Sequence, residues 1–350
     1  MTAPPPGSVG AGRAAAAAWV ARHAAGAPWF RGAFLAGSTV GLPAGAPLPP
    51  GSDVDVVVVT ARRDPPPKPG KLLWRGALVE VSWLPWSRLS TAEQVLGDYH
   101  LAGSFRVDTV VADPTGHLRE LHARVAPRFA EPAWVRRRCQ HVRARIRDGL
   151  AGIDPSAAWH DQVTAWLFAT GRTAHLPLVA ALRNPTVRLR YLAARQALAD
   201  HGQAGLYPQL LELLGCARLP RARVQGHLRA LARCFDAAAA VARTPFAFSG
   251  DLTAVARPVA IDASQRLVEA GDHREAVFWV VATSARCQQV LAADAGPRLR
   301  RAHAPAFREL LADLGVVATD DLLRRGEAVT RFLPRLSAAA EAILARVTPG

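Results

Sequence analysis

A chain of 350 residues, half of them hydrophobic and a fifth charged, has enough apolar material for two cored domains, which excludes a disordered tail or a small disulfide-stapled scaffold. The formal net charge of +15 points toward a polyanion, but 41 of the 43 basic residues are arginine once Lys68 and Lys71, the only lysines, are set aside. With 27 glycines, 27 prolines and one methionine, that skew is the mark of a GC-rich coding sequence, so nucleic acid is not the favoured partner.

Taken in chain order, residues 1–12 are rich in Pro and Gly and read as disordered. The alanine run at 14–18 is too weakly apolar for a signal peptide, with Arg22 and His23 close behind, and reads as part of a first helix over Ala14–Ala25. Short strands are expected at Phe34–Ala36, Val54–Val59, Leu72–Trp74, Leu78–Trp83 and Phe105–Ala112, with the three prolines at 65–67 breaking the pattern and a helix starting near His117. These make residues 13–130 a small mixed-sheet domain.

From residue 131 to 350 the pattern is helical, which makes the chain α+β: a small mixed-sheet domain followed by an all-α domain. Val135, Cys139, Val142, Ile146 and Leu150 lay one apolar stripe along a helix whose other faces carry Arg136, Arg137, Arg138, Arg143, Arg145 and Arg147. That arginine cluster reads as a solvated face, with phosphate binding as the sharper alternative. In the stretch 181–191, Asn184-Pro185 marks a joint and Thr186 is expected to cap the next helix. His160-Asp161 and His273-Arg274-Glu275 are weaker acid–base candidates. Residues 1–130 carry 13 basic and 9 acidic residues, a net of +4, leaving 30 against 19, or +11, for the rest. Cys139, Cys216, Cys234 and Cys287 are widely spaced without a CxxC pair, as in a reduced cytoplasmic protein, and no run reaches the roughly 18 apolar residues of a membrane span.

The chemistry concentrates in residues 37–59. Gly37-Ser38 is followed by a Pro/Gly-rich loop and then by Asp53 and Asp55 at the head of Val56–Val59. Residues two apart on a strand share a face, so the two carboxylates point the same way and call for a cation. Glu80 interrupts a second apolar strand, and if the two strands are neighbours the three acids converge. Such a cluster suits metal-assisted displacement at phosphorus.

Gly37-Ser38, the DVD of Asp53 to Asp55 entering a hydrophobic strand, and Glu80 on a later strand resemble the DNA polymerase β-type nucleotidyltransferase superfamily. The order of a small catalytic domain and a helical domain is similar to that of the antibiotic (aminoglycoside) nucleotidyltransferases. The resemblance implies that Asp53, Asp55 and Glu80 are catalytic and hold two Mg²⁺ ions, with Mn²⁺ as a substitute, and that Gly37, Ser38 and Ser52 bind the nucleotide. It implies NTP, with ATP favoured, and a hydroxyl-bearing acceptor, of which a small antibiotic-like molecule is preferred over RNA, tRNA or protein. A catalytically decayed nucleotide-binding regulator is the alternative of another class. One departure is the 14-residue interval 39–52, whose Pro43, Pro47, Pro49 and Pro50 argue against a helix.

Overall fold

A computed structural model describes residues 5–49 and 51–348. The chain is α+β, with a small mixed sheet near the N-terminus and an all-helical region after it. It divides into two compact units. The first runs to Arg138 and also takes in Pro245–Val259, a segment that lies in sequence between helices of the second; the second comprises Cys139–Thr244 and the chain from Ala260. The sequence reading drew a single boundary after residue 130.

Helix α1 spans Val9–His23 and buries Ala15, Ala16, Trp19 and Val20. It starts five residues before the expected one, which corrects the disordered reading of 1–12 for residues 5–12; residues 1–4 lie outside the described residues. The first N–H groups of a helix have no partner within it. Here the Ser8 hydroxyl accepts from Ala11 N–H at 3.2 Å, while Val9 and Gly10 N–H donate to the Ala46 and Ala44 carbonyls at 2.9 and 2.7 Å. The Pro/Gly-rich loop is thus the cap of α1. Gly12 lets the helix approach the sheet, because a Cβ there would meet Val54 at 2.7 Å.

The sheet has strands β1 (Phe30–Ala36), β2 (Val54–Thr60), β3 (Gly70–Trp74), β4 (Ala77–Pro85) and β5 (Val110–Ala112) in the order β3-β4-β2-β1-β5. Only β2 and β4 pair in parallel; the other three pairings are antiparallel. Alternation sorts the side chains. Val54, Val56, Val58, Val79 and Val81 pack with α1, whereas Phe34 and Val59 pack with helices α2 (Ala92–Gly97) and α3 (His117–Val125). The expected strand at Phe105–Ala112 is shorter. Residues Ala102–Phe105 form a buried 3₁₀ turn, Phe105 packs on Phe34 at 4.9 Å between ring centroids, and the Thr109 hydroxyl closes the turn onto the Ser104 carbonyl at 2.7 Å. Core packing of Phe105 therefore overrides the β-rich sequence.

Helix α4 (Pro132–Ala151) carries the expected stripe, with Val135, Cys139, Val142 and Ile146 buried. Arg138 departs from the solvated-face reading: it is buried, donates to the Leu96 and Phe129 carbonyls at 3.1 and 2.6 Å, and lies over the Phe129 ring. Its guanidinium serves the first unit's core. The second unit continues with α5 (Trp159–Gly171), α6 (His175–Ala180), α7 (Arg190–Asp200), α8 (Tyr207–Leu214), α9 (Arg221–Val241), α10 (Ala263–Glu269), α11 (His273–Asp294), α12 (Pro297–Asp313) and α13 (Thr319–Val347). Helix α11 is buried on nearly all sides from Glu275 to Ala285, as a central helix must be. Thr186 does not cap α7, which starts at Arg190; its carbonyl instead meets His175 Nε2 at 3.0 Å. Arg190 and Tyr191 are buried in the core, the guanidinium 3.7 Å from the centre of the Phe278 ring.

Ser8→Ala removes the side-chain cap of α1 and is expected to cost about 1 kcal/mol, lowering Tm by about 2–4 °C. Thermal unfolding followed by circular dichroism checks this, and an unchanged Tm would return residues 5–12 to the disordered reading.

Candidate metal centre

The parallel register of β2 and β4 sets Asp55 directly opposite Glu80, and Asp53 precedes β2 by one residue. Period-2 alternation puts Asp53, Asp55 and Glu80 on the sheet face opposite the valines that pack with α1. One oxygen from each of the three carboxylates lies within 4.8 Å of the others. The three acids expected from the sequence are thus brought together.

Gly37 joins them from the end of β1, where Ala36 pairs with Asp55. Its φ of +72° is left-handed, and a Cβ would fall 1.7 Å from Asp55 Oδ2, so glycine is required on two counts. Residues Gly37–Thr39 form one 3₁₀ turn, which Arg13 on α1 clamps by donating to the Thr39 and Leu42 carbonyls at 2.5 and 3.0 Å. Ser38 on this turn is exposed, and Ser52, next to Asp53, is half-buried.

Three residues of the cluster escaped sequence reasoning. Lys71, paired with Glu80 across β3 and β4, places its ammonium 2.9 Å from Asp53 Oδ2 and 3.0 Å from Asp251 Oδ1, and in contact with Glu80 Oε2. Lys68 lies 2.5 Å from Glu80 Oε1. Asp251 comes from the 3₁₀ turn Ser249–Asp251, within the segment that rejoins the first unit. A signal did exist for the lysines, since they are the only two in an arginine-rich chain. Lys presents a compact point charge with three donors, and Lys71 meets three carboxylates with it. Asp251 has no comparable signal.

Burial alone would raise the Glu80 carboxyl, but the Lys71 and Lys68 ammonium groups outweigh it and hold Glu80 at about 2. Burial would likewise favour neutral Lys71, and the charges of Asp53, Asp251 and Glu80 reverse this and raise it. Asp53 is pushed up by burial, with Glu80 adding to it against the pull of Lys71. Asp55 is pushed well above the usual carboxylate range by burial first and then by the charges of Asp53 and Glu80. The charges of Lys71 and Lys68 pull the other way without offsetting this.

With all of them ionised, four carboxylates against two ammonium groups leave two negative charges, on the side of Asp53 and Asp55. That donor set, all hard oxygen and short of two positive charges, fits a divalent cation such as Mg²⁺ or Mn²⁺. The weaker candidates do not join it. Glu275 is buried in the second unit, where it accepts from Tyr207 at 2.6 Å and Arg195 at 2.7 Å, and His160 lines a separate cavity of about 160 Å³ with Trp159, Arg300 and Arg308. No family model, curated protein or solved structure matches the chain.

An ionised Asp55 costs the metal-free protein stability as pH rises through the acid range, because its folded-state carboxyl is raised above the unfolded value. Asp55→Asn is therefore expected to raise the metal-free Tm at pH 7 by about 2 °C or more. Saturating Mn²⁺ is expected to stabilise the wild type by an increment that grows from pH 5 to pH 7, since the ion must displace a proton, and not to stabilise Asp55→Asn. Differential scanning calorimetry at both pH values checks both; a less stable metal-free variant that Mn²⁺ still stabilises would contradict the assignment.

Proposed function

We propose that the chain is a divalent-metal-dependent nucleotidyltransferase of the DNA polymerase β-like type, moving an NMP from an NTP, with ATP favoured, to a hydroxyl acceptor. The observation that carries this reading is the convergence of Asp53, Asp55 and Glu80 on one sheet face, beside the Gly37 turn that makes room for the Asp55 carboxylate. Asp53 and Asp55 would hold the cation, with Glu80 beside them. When bound, such an ion polarises phosphate oxygens and makes a coordinated hydroxyl more acidic.

In the reaction the acceptor oxygen forms a bond to the α-phosphorus, the bond from that phosphorus to the αβ-bridging oxygen breaks, and pyrophosphate leaves with the electron pair. Glu80, held at about 2 by two ammonium groups, is a poor proton acceptor at neutral pH. Its part is to fix the lysines and orient the acceptor, and the hydroxyl proton passes to solvent. Gly37 and Ser38 would offer backbone N–H and a hydroxyl to the triphosphate, with Ser52 at its flank. The remaining work is positioning and charge neutralisation.

A small hydroxylated acceptor is the favoured substrate. An RNA end is the second reading, favoured by the net charge of +11 over residues 131–350, where 30 basic residues face 19 acidic ones. Incubation with each α-labelled NTP and Mg²⁺, offering small-molecule, RNA and protein fractions separately, is expected to label the small-molecule fraction. Asp53→Asn should lower that transfer by about three orders of magnitude with an unchanged circular dichroism spectrum. Wild-type turnover in Asp53→Asn, or no label in any fraction with any NTP and either Mg²⁺ or Mn²⁺, would refute the proposal.

A further inference from the structure

Glu80 is the ligand that the resemblance assigns to the metals, yet both of its oxygens are already engaged, Oε1 by Lys68 and Oε2 by Lys71. Lys71 also takes Asp53 Oδ2, and its side chain is only 6 % exposed. A buried ammonium cannot turn away to water without leaving carboxylates unpaired, which is the costly way to break a buried ion pair. It is held in place from outside the sheet as well. Asp251 pairs with it at 3.0 Å, and the turn that carries Asp251 is locked against β3 by two glycines, since a Cβ on Gly250 would lie 2.6 Å from the Gly70 Cα and Gly70 has a φ of +72°. Only glycine at both positions brings these backbones close enough for Asp251 to reach Lys71.

We propose that Lys71, anchored by Asp251, is a resident cation of this centre, and that the centre therefore takes one divalent ion, on Asp55 and Asp53, where the resemblance implies two. This rests on reading the acid cluster as the metal centre of a nucleotidyltransferase. The lysine supplies permanently the positive charge that a second ion would bring to Glu80 and Asp53, and four carboxylates against two ammonium groups leave the two negative charges that one Mg²⁺ neutralises. Asp251 is a positioning residue in this scheme, acting through Lys71. Asp251 lies in the segment Pro245–Val259, which belongs to the first unit.

The test is a count of Mn²⁺ bound per full-length chain, from the loss of the free-ion electron paramagnetic resonance signal on titration, without nucleotide. Wild type is expected to bind one ion and Lys71→Met two. Lys71→Met is close to isosteric, and circular dichroism checks its fold; should it not fold, the wild-type count decides. Two ions on the wild type would overturn this inference and leave the metal-dependent function standing, whereas none would remove both. One ion on a folded Lys71→Met would also overturn it.

Discussion

Like charges placed directly opposite on paired strands destabilise a sheet, and the parallel register of β2 and β4 makes Asp55 and Glu80 such a pair, with Asp53 adjoining. The surroundings of these residues answer that repulsion. Lys68 and Lys71 neutralise the Glu80 side, a returning segment brings Asp251 to hold Lys71, and Gly37 clears room for the Asp55 carboxylate. Neutralisation stops short of Asp55, whose carboxyl stays well above its ordinary range. On the proposed reading a divalent ion would answer that imbalance, and stability given up in the metal-free protein would become affinity for the ion.

The three acids were legible because each breaks a local pattern. A charge in a run of β-branched residues is conspicuous, and alternation alone puts Asp53 and Asp55 on one face. The mixed sheet and the helical second half were legible for similar reasons, being long periodic stretches. Less legible was whatever depends on contacts far apart in sequence. Asp251 lies 180 positions from Lys71 and reaches it through a glycine–glycine contact that no local pattern announces. Ser8 stands in a Pro/Gly-rich stretch, and the helix end it caps is also closed by the Ala44 and Ala46 carbonyls of a loop more than thirty residues on. Phe105 was read as strand because its neighbours are β-formers, whereas the core uses it from a 3₁₀ turn.

The arginines divide into two kinds that composition cannot separate. Most of those on α4 are exposed, but Arg138 and Arg190 are buried against Phe129 and Phe278, where a delocalised guanidinium stacks and still reaches carbonyls. An arginine-rich chain thus uses part of its positive charge as core, which weakens any inference from net charge to a polyanionic partner. No helix among the described residues is long and apolar enough to cross a membrane, and all four cysteines are buried.

The central claim is that Asp53 and Asp55 hold a divalent ion while Lys71 keeps Glu80. Anomalous diffraction from crystals grown with Mn²⁺ tests it most directly. One anomalous peak is expected about 2.1 Å from an oxygen of Asp55 and an oxygen of Asp53, with the Lys71 ammonium still on Glu80 and Asp251. Crystals with no peak at these acids, or with Glu80 on the ion and Lys71 displaced, would contradict the account.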